Sequence, residues 1–223
     1  MNDRDRLARH FDRVAGSFDA IYTGQKPGVF RFWDRLTRRN IHDRFEFALQ
    51  ALAPLEGRHV LDVGCGSGRY GVALAQRGAA AVVGIDVSGG MLELARALAD
   101  QQGAGARCTF EQRDVLDLPP ERVFDDVVAM GFFDYIREPG PVMRRLGEVA
   151  RDRLVASFPT RSAARVPFRR LWLQYRRCPV RFYSSREVVE LCAHGGFEVI
   201  ELVHRGPIFL LIARVRPRGT PAA

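Results

Sequence analysis

The strongest constraint in the chain lies between residues 59 and 77. There a short apolar run, His59-Val60-Leu61-Asp62-Val63, passes through Gly64-Cys65-Gly66-Ser67-Gly68 into an amphipathic stretch, Tyr70 to Arg77. A run of that length bounded by glycine reads as a buried strand handing over to a helix. Glycines at alternate positions let the backbone turn sharply and let a ligand approach with no Cβ in the way. The same succession then repeats. Strands are expected at Ala80 to Ile85, Cys108 to Gln112, Phe124 to Met130 and Arg153 to Phe158, and helices at Ser88 to Gln102, capped by Ser88, and at Pro139 to Ala150. Strand and helix alternating at this interval mean βαβ units and a parallel sheet. The end departs from that rule. After a helix opened by Ser184 or Ser185, the runs Phe197 to His204 and Ile208 to Val215 are separated only by Arg205-Gly206-Pro207. A link so short joins antiparallel neighbours.

Two helices precede the first strand. Leu7, Phe11, Val14 and Phe18 recur at helical spacing, as do Phe30, Trp33, Leu36, Ile41, Phe45, Phe47, Ala48 and Leu52, with a turn at Gly24, Pro27 and Gly28 between them. The formal net charge of +8 would ordinarily raise nucleic acid or a membrane surface as partners. Of the 34 cationic residues, however, only Lys26 is lysine, a bias that genome composition produces as readily as selection. No uninterrupted apolar run is long enough to span a membrane, and Met1 to Ala15 lack the apolar core of a secretory signal. The four cysteines, Cys65, Cys108, Cys178 and Cys192, stand far apart, which argues against a zinc site or a disulfide scaffold and for a reducing cytoplasm. His10, His42, His59 and His204 share no metal-ligand spacing, and no metal is expected.

Spacing narrows the ligand of the glycine turn. A dinucleotide fingerprint needs a third glycine where this chain has Arg69, and a P-loop needs a lysine that is absent there. Present instead is Asp62, two residues before the first glycine, able to accept from the loop or from a cationic ligand group. Asp86 closes the next strand and can take both hydroxyls of a ribose. Asp114 ends the stretch Phe110 to Val115, placed to accept from an exocyclic amine while Val115 offers its N–H. All three stand where open α/β sheets bind ligands, at the carboxyl ends of strands.

These residues carry a resemblance. Val60 to Gly68, then Val83-Gly84-Ile85-Asp86-Val87-Ser88 with Met91 to Arg96, then Asp114-Val115 resemble class I S-adenosylmethionine-dependent methyltransferases over roughly residues 58–160. The resemblance implies a Rossmann-like, doubly wound sheet of seven strands, mostly parallel, with an antiparallel C-terminal hairpin. It implies S-adenosyl-L-methionine as cofactor and S-adenosyl-L-homocysteine as product. It also implies Asp86 on the ribose, Asp114 and Val115 on adenine, and Asp62, Gly64, Cys65, Gly66 and Gly68 around the methionine part. Val87 and Met91 would pack on the adenine faces, with core packing an equal reading, and Met130 joins the donor-binding set at the end of the fourth strand. Phe11 to Tyr22 resemble the lid helix of small-molecule members, with Phe18 or Tyr22 as gate, which makes residues 1–53 an N-terminal helical lid over a methyltransferase domain at 54–223.

The acceptor side is less constrained. Its wall is Met130-Gly131-Phe132-Phe133-Asp134-Tyr135-Ile136, without the Pro-Pro pair common in enzymes that methylate bases or protein amides. Asp134 and Tyr135 are its polar groups, able to orient or deprotonate an acceptor, with a helix cap and a packed aromatic as the competing structural readings. His194 reads first as a helix C-terminal residue. From Arg153 to Arg186 there are nine arginines and no acid, and residues 161–183 form a basic insertion on the acceptor side. Competing uses for it are a solvated face, a pocket for an anionic small molecule, a contact with a peripheral membrane or an acidic carrier protein through 161–181, and an RNA groove. Its opening, Phe158-Pro159-Thr160-Arg161, and aromatic-basic helix are similar, over a short stretch, to magnesium-protoporphyrin O-methyltransferases. The expected activity is methyl transfer to O or N of a small anionic or amphipathic molecule. An RNA or protein methyltransferase using 153–186, or a nucleoside-binding module without turnover, are the alternatives.

Overall fold

The computed structural model describes residues 6–9, 11–13, 42–161 and 181–217. A helix α1 over 42–51 leads into β1 (His59–Val63), and the chain continues as α2 (Arg69–Gln76), β2 (Ala81–Asp86), α3 (Gly89–Gln101), β3 (Cys108–Gln112) and β4 (Phe124–Ala129). Then come α4 (Pro139–Val149), β5 (Ala150–Pro159), α5 (Ser185–His194), β6 (Phe197–Arg205) and β7 (Ile208–Val215). Single 3₁₀ turns at Val115–Asp117 and Phe133–Tyr135 follow β3 and β4. Residues 6–9 and 11–13 are helical.

The seven strands form one sheet in the order β3-β2-β1-β4-β5-β7-β6. Pairs among β1 to β5 are parallel, and β7 is inserted antiparallel between β5 and β6. The expected Rossmann-like architecture and C-terminal hairpin are therefore present. Alternation along the strands builds two cores. Val60, Val128, Val155 and Leu210 face α1, α2 and α3, where Leu49, Leu74 and Leu92 are buried. Leu61, Val127, Leu154 and Leu211 face α4 and α5, where Leu146, Val188 and Cys192 are buried. Burial on both faces explains why these strands read as nearly continuous apolar runs.

The amino edge of the sheet is locked by charge. Asp126 is fully buried and accepts from Arg58 Nε and Nη2 at 2.8 and 2.7 Å and from Arg153 Nε and Nη2 at 2.7 and 3.0 Å. Burial alone would raise its carboxyl pKa, but the two guanidinium partners together outweigh it and hold the group below its ordinary value. Arg153 also donates to the carbonyls of Ala51, Leu52 and Ala53 at 2.9 to 3.2 Å, capping the carboxyl end of α1. The last turn of α1 thus sits at the amino edge, and its described beginning lies toward the carboxyl edge.

Two expectations are corrected. β3 stops at Gln112, so Asp114 lies two residues past it and its Oδ1 accepts from Leu116 N at 2.9 Å, capping a 3₁₀ turn. β5 begins at Ala150, three residues before Arg153, because Arg151 and Asp152 stay in the strand while pairing with Asp125, Arg58 and Arg214. Among the described residues no helix is long and apolar enough to cross a membrane.

Candidate active site

The turn after β1 is strapped to β2 by two backbone bonds, from Gly64 N and Cys65 N to Ile85 O at 2.8 and 3.1 Å. Gly64, Gly66 and Gly68 all have positive φ (66°, 51° and 76°), a conformation costly to other residues. Their neighbourhoods differ. A Cβ on Gly64 would stand 2.7 Å from the Phe132 ring, one on Gly68 would stand 2.8 Å from Ala95 Cβ, and one on Gly66 would meet nothing within 4 Å. Gly64 and Gly68 are thus needed for packing, and Gly66 keeps a face of the turn open. Cys65 turns its thiol into the core, where a Cβ on Gly84 would stand 2.9 Å from its sulfur. Burial pushes that thiol well above its usual pKa, so it stays a neutral thiol in the core.

Two acids flank the turn. Asp62 is buried and accepts from Gly71 N at 3.2 Å. Burial is the main cause that pushes its carboxyl pKa up to about 7; the Gly71 N–H works against this and neighbouring Asp86 adds to it. Asp86 accepts from Gly66 N at 3.0 Å and from Ser88 N at 2.9 Å, and burial raises its pKa as well. Neither carboxylate faces a cation among the described residues. Ser88 caps α3 as expected, accepting from Met91 N at 3.2 Å. Val87 is half-buried, and Met91, Val115 and Met130 are buried beside this edge.

Two features here were invisible in the sequence. Asp12, in the N-terminal helical residues, accepts from Ser88 Oγ at 2.5 Å and from Gly90 N at 3.1 Å. Phe11 beside it meets Tyr135 edge to face, with ring centroids 5.3 Å apart. One short segment thus joins the start of α3 to the wall after β4. Nothing in the residues around Asp12 announces this, because its partners lie 76 and 78 positions away.

The wall after β4 keeps the expected order. Phe132 covers Gly64, Phe133 stacks on Phe158 with centroids 4.4 Å apart, and Tyr183 donates from its hydroxyl to Phe133 O at 3.2 Å. Asp134 is buried inside the 3₁₀ turn rather than capping it, and Tyr135 is half-buried. Phe18, Tyr22 and residues 162–180 lie outside the described residues. Of the nine arginines from 153 to 186, the four described ones are engaged within the protein. Arg153 holds Asp126, Arg161 bonds Glu187, Arg181 donates to Arg137 O, and Arg186 bonds Glu190. His194 ends α5, as expected, and lines a cleft of ≈ 300 Å³ with Arg144, Arg181 and Glu187 that includes none of the glycine turn.

An open glycine turn with a buried and a half-buried carboxylate, and no cation opposite them among the described residues, suits a ligand that brings its own positive charge and hydroxyl groups. The comparisons agree. A methyltransferase domain model matches residues 60–153. The magnesium-protoporphyrin O-methyltransferase of Rhodobacter capsulatus is 30% identical over 210 residues, covering 91% of this chain and 92% of that protein. The chain belongs to the class I S-adenosylmethionine-dependent methyltransferases, and S-adenosylmethionine is its methyl donor. Among solved structures it is similar to magnesium protoporphyrin IX methyltransferase (ChlM) of Synechocystis PCC 6803 with bound SAH, with a TM-score of 0.81 at 20% identity, covering 95% of this chain and 99% of that one. A ubiquinone biosynthesis O-methyltransferase of Alkalilimnicola ehrlichii is 33% identical over 136 residues, 57% of this chain and 51% of that protein.

Proposed function

We propose that this enzyme methylates a carboxylate oxygen of an acceptor of the magnesium-protoporphyrin kind, in the cytoplasm. One observation carries the reading: the likeness to the Rhodobacter capsulatus enzyme covers 91% of the chain. The donor-binding part, matched by the domain model, ends at residue 153, whereas this likeness runs on into the segments that flank the acceptor. A protoporphyrin carries oxygen only in its propionate carboxylates, so O-methylation there makes a methyl ester. Thiols at Cys65, Cys108 and Cys192, none of them in a disulfide, support a reducing compartment.

S-adenosylmethionine supplies an electrophilic methyl group on a sulfonium. The protein's part is alignment and the exclusion of water. Asp86 holds the ribose hydroxyls through oxygen lone pairs that Gly66 and Ser88 leave available. Asp114 and Val115 take the adenine edge, and Val87, Met91 and Met130 line its faces. Asp62 and the backbone of Gly64, Cys65, Gly66 and Gly68 hold the methionine end. A carboxylate is already ionised at neutral pH, so the acceptor needs no base. Tyr135 therefore orients it rather than deprotonating it, while Asp134, buried in the 3₁₀ turn, stays behind the wall after β4. Residues 1–53 act as a lid on the domain at 54–223, closed by Tyr22, and the contacts of Phe11 and Asp12 with both walls support this. The insertion at 161–183 is assigned to choosing the acceptor.

Incubation with S-adenosylmethionine and magnesium-protoporphyrin IX should yield one methyl ester per S-adenosylhomocysteine, read by mass spectrometry. Turnover of a catechol of the ubiquinone-precursor type with none of the porphyrin would refute the acceptor.

A further inference from the structure

The described beginning of α1 carries a cation that nothing in the described structure answers. Arg44 is half-buried, its Nε is sealed from solvent without a hydrogen-bond partner, and no ion pair reaches its guanidinium among the described residues. Its place is well defined. One Nη lies 3.3 Å from where a Cβ on Gly131 would stand. Gly131 has φ 75° and donates from N to Ser157 Oγ at 2.8 Å, so it is the turn that ends β4. The next residue is Phe132, whose ring covers Gly64 of the donor turn. Phe45 packs on Tyr70 with centroids 5.3 Å apart, holding this end of α1 against α2.

The guanidinium thus stands at the carboxyl edge of the sheet, one residue from the side chain that touches the donor turn. Arg58, Arg153 and Arg122, by contrast, are each satisfied by carboxylates of the protein. A partly buried guanidinium left without an anion is costly, and its planar fork suits a carboxylate.

Electrostatics decides which carboxylate. Methyl transfer to an anionic oxygen consumes the negative charge, so a cation on the reacting group would stabilise the ground state more than the transition state. The cation is better used on an anionic group that does not react. We infer that Arg44 binds the non-reacting carboxylate of a dianionic acceptor, so that the enzyme selects molecules with two anionic groups, one methylated and one held. This rests on the carboxylate acceptor proposed above and adds a residue and a charge rule to it.

The test compares wild type, Arg44→Met and Arg44→Lys with magnesium-protoporphyrin IX and with its monoamide that leaves the methylated carboxylate free. Wild type should favour the diacid, and Arg44→Met should raise its KM about tenfold or more, the worth of a charge-assisted bond, while erasing that preference. The kcat and the affinity for S-adenosylhomocysteine should change little, and Arg44→Lys should fall between. Because no protein group among the described residues is bonded to the guanidinium, Arg44→Met should keep or raise the Tm. An unchanged KM, or a loss of Tm in both variants, overturns the role of Arg44 while ester formation by wild type still stands. If wild type makes no ester, the proposed acceptor fails separately. Arg44 is then read by NMR from its Nε–H resonance, identified by its loss in Arg44→Lys, as terephthalate is added to protein loaded with S-adenosylhomocysteine. A saturating shift supports the anion site, and no shift overturns it.

Discussion

Asp62 sits in surroundings that oppose its charge: it is buried, has a single backbone donor and lies near a second acid. Its folded-state pKa of about 7 lies above the unfolded value of 3.8, so between them the folded protein holds a proton that the unfolded chain has lost. Stability from this group is full below the lower value and is lost as pH rises through the upper one. Urea unfolding of the donor-free protein should therefore show stability falling from pH 4 to 7, and Asp62→Asn should flatten that slope. Binding of the cationic donor should draw out the proton, and calorimetry at pH 7 in buffers of different ionisation enthalpy should detect its release. Asp86→Ala should weaken the donor by about 1–3 kcal/mol, measured in the same way. The placing of Asp62 and Asp86 beside the glycine turn was legible in the sequence because it follows from position: each stands at a fixed offset from that turn or from a strand end. Arg44 and Asp12 were not legible, because their meaning depends on Gly131 and Ser88, which folding alone brings near.

Among the elements, α5 shows how local chemistry defines a boundary. Ser184 accepts from Glu187 N, and Glu187 Oε2 accepts in return from Ser184 N at 2.8 Å, a reciprocal cap. Ser184→Ala should cost about 1 kcal/mol, measurable by chemical denaturation, with donor affinity unchanged. The donor turn is less forgiving. Gly64→Ala would force a left-handed residue against Phe132 at 2.7 Å, and S-adenosylhomocysteine binding should fall sharply. Such boundaries were readable wherever a cap, a glycine or an apolar run marked them, as at His59–Val63, Cys108–Gln112 and Ile208–Val215. The beginning of β5 was hidden because Arg151 and Asp152 look like loop residues until their ion pairs across the sheet edge are known. Within the basic run the role of Arg153 was hidden for a similar reason: it serves the buried carboxylate of Asp126.

At the scale of the molecule, the two edges of the sheet divide the work. The amino edge is held by Asp126, Arg58 and Arg153, and the carboxyl edge carries the glycine turn and the wall after β4. Asp126→Ala leaves two cations facing a buried space, and the loss should be on the order of 3 kcal/mol in unfolding free energy. Donor affinity, measured on the folded fraction, should not follow it, because the glycine turn is strapped to β2 and not to that cluster. The sheet order has a further consequence, in time rather than in space. β7 enters between β5 and β6, so β6 has no neighbour until β7 arrives. On the ribosome, β1 to β5 can pair as they emerge, while β6 must wait for residue 215 to clear the exit tunnel. During that interval Leu211 and Ala213 cannot cover the core around Phe158, and a nascent chain stalled there offers an open strand edge to chaperones or to other chains.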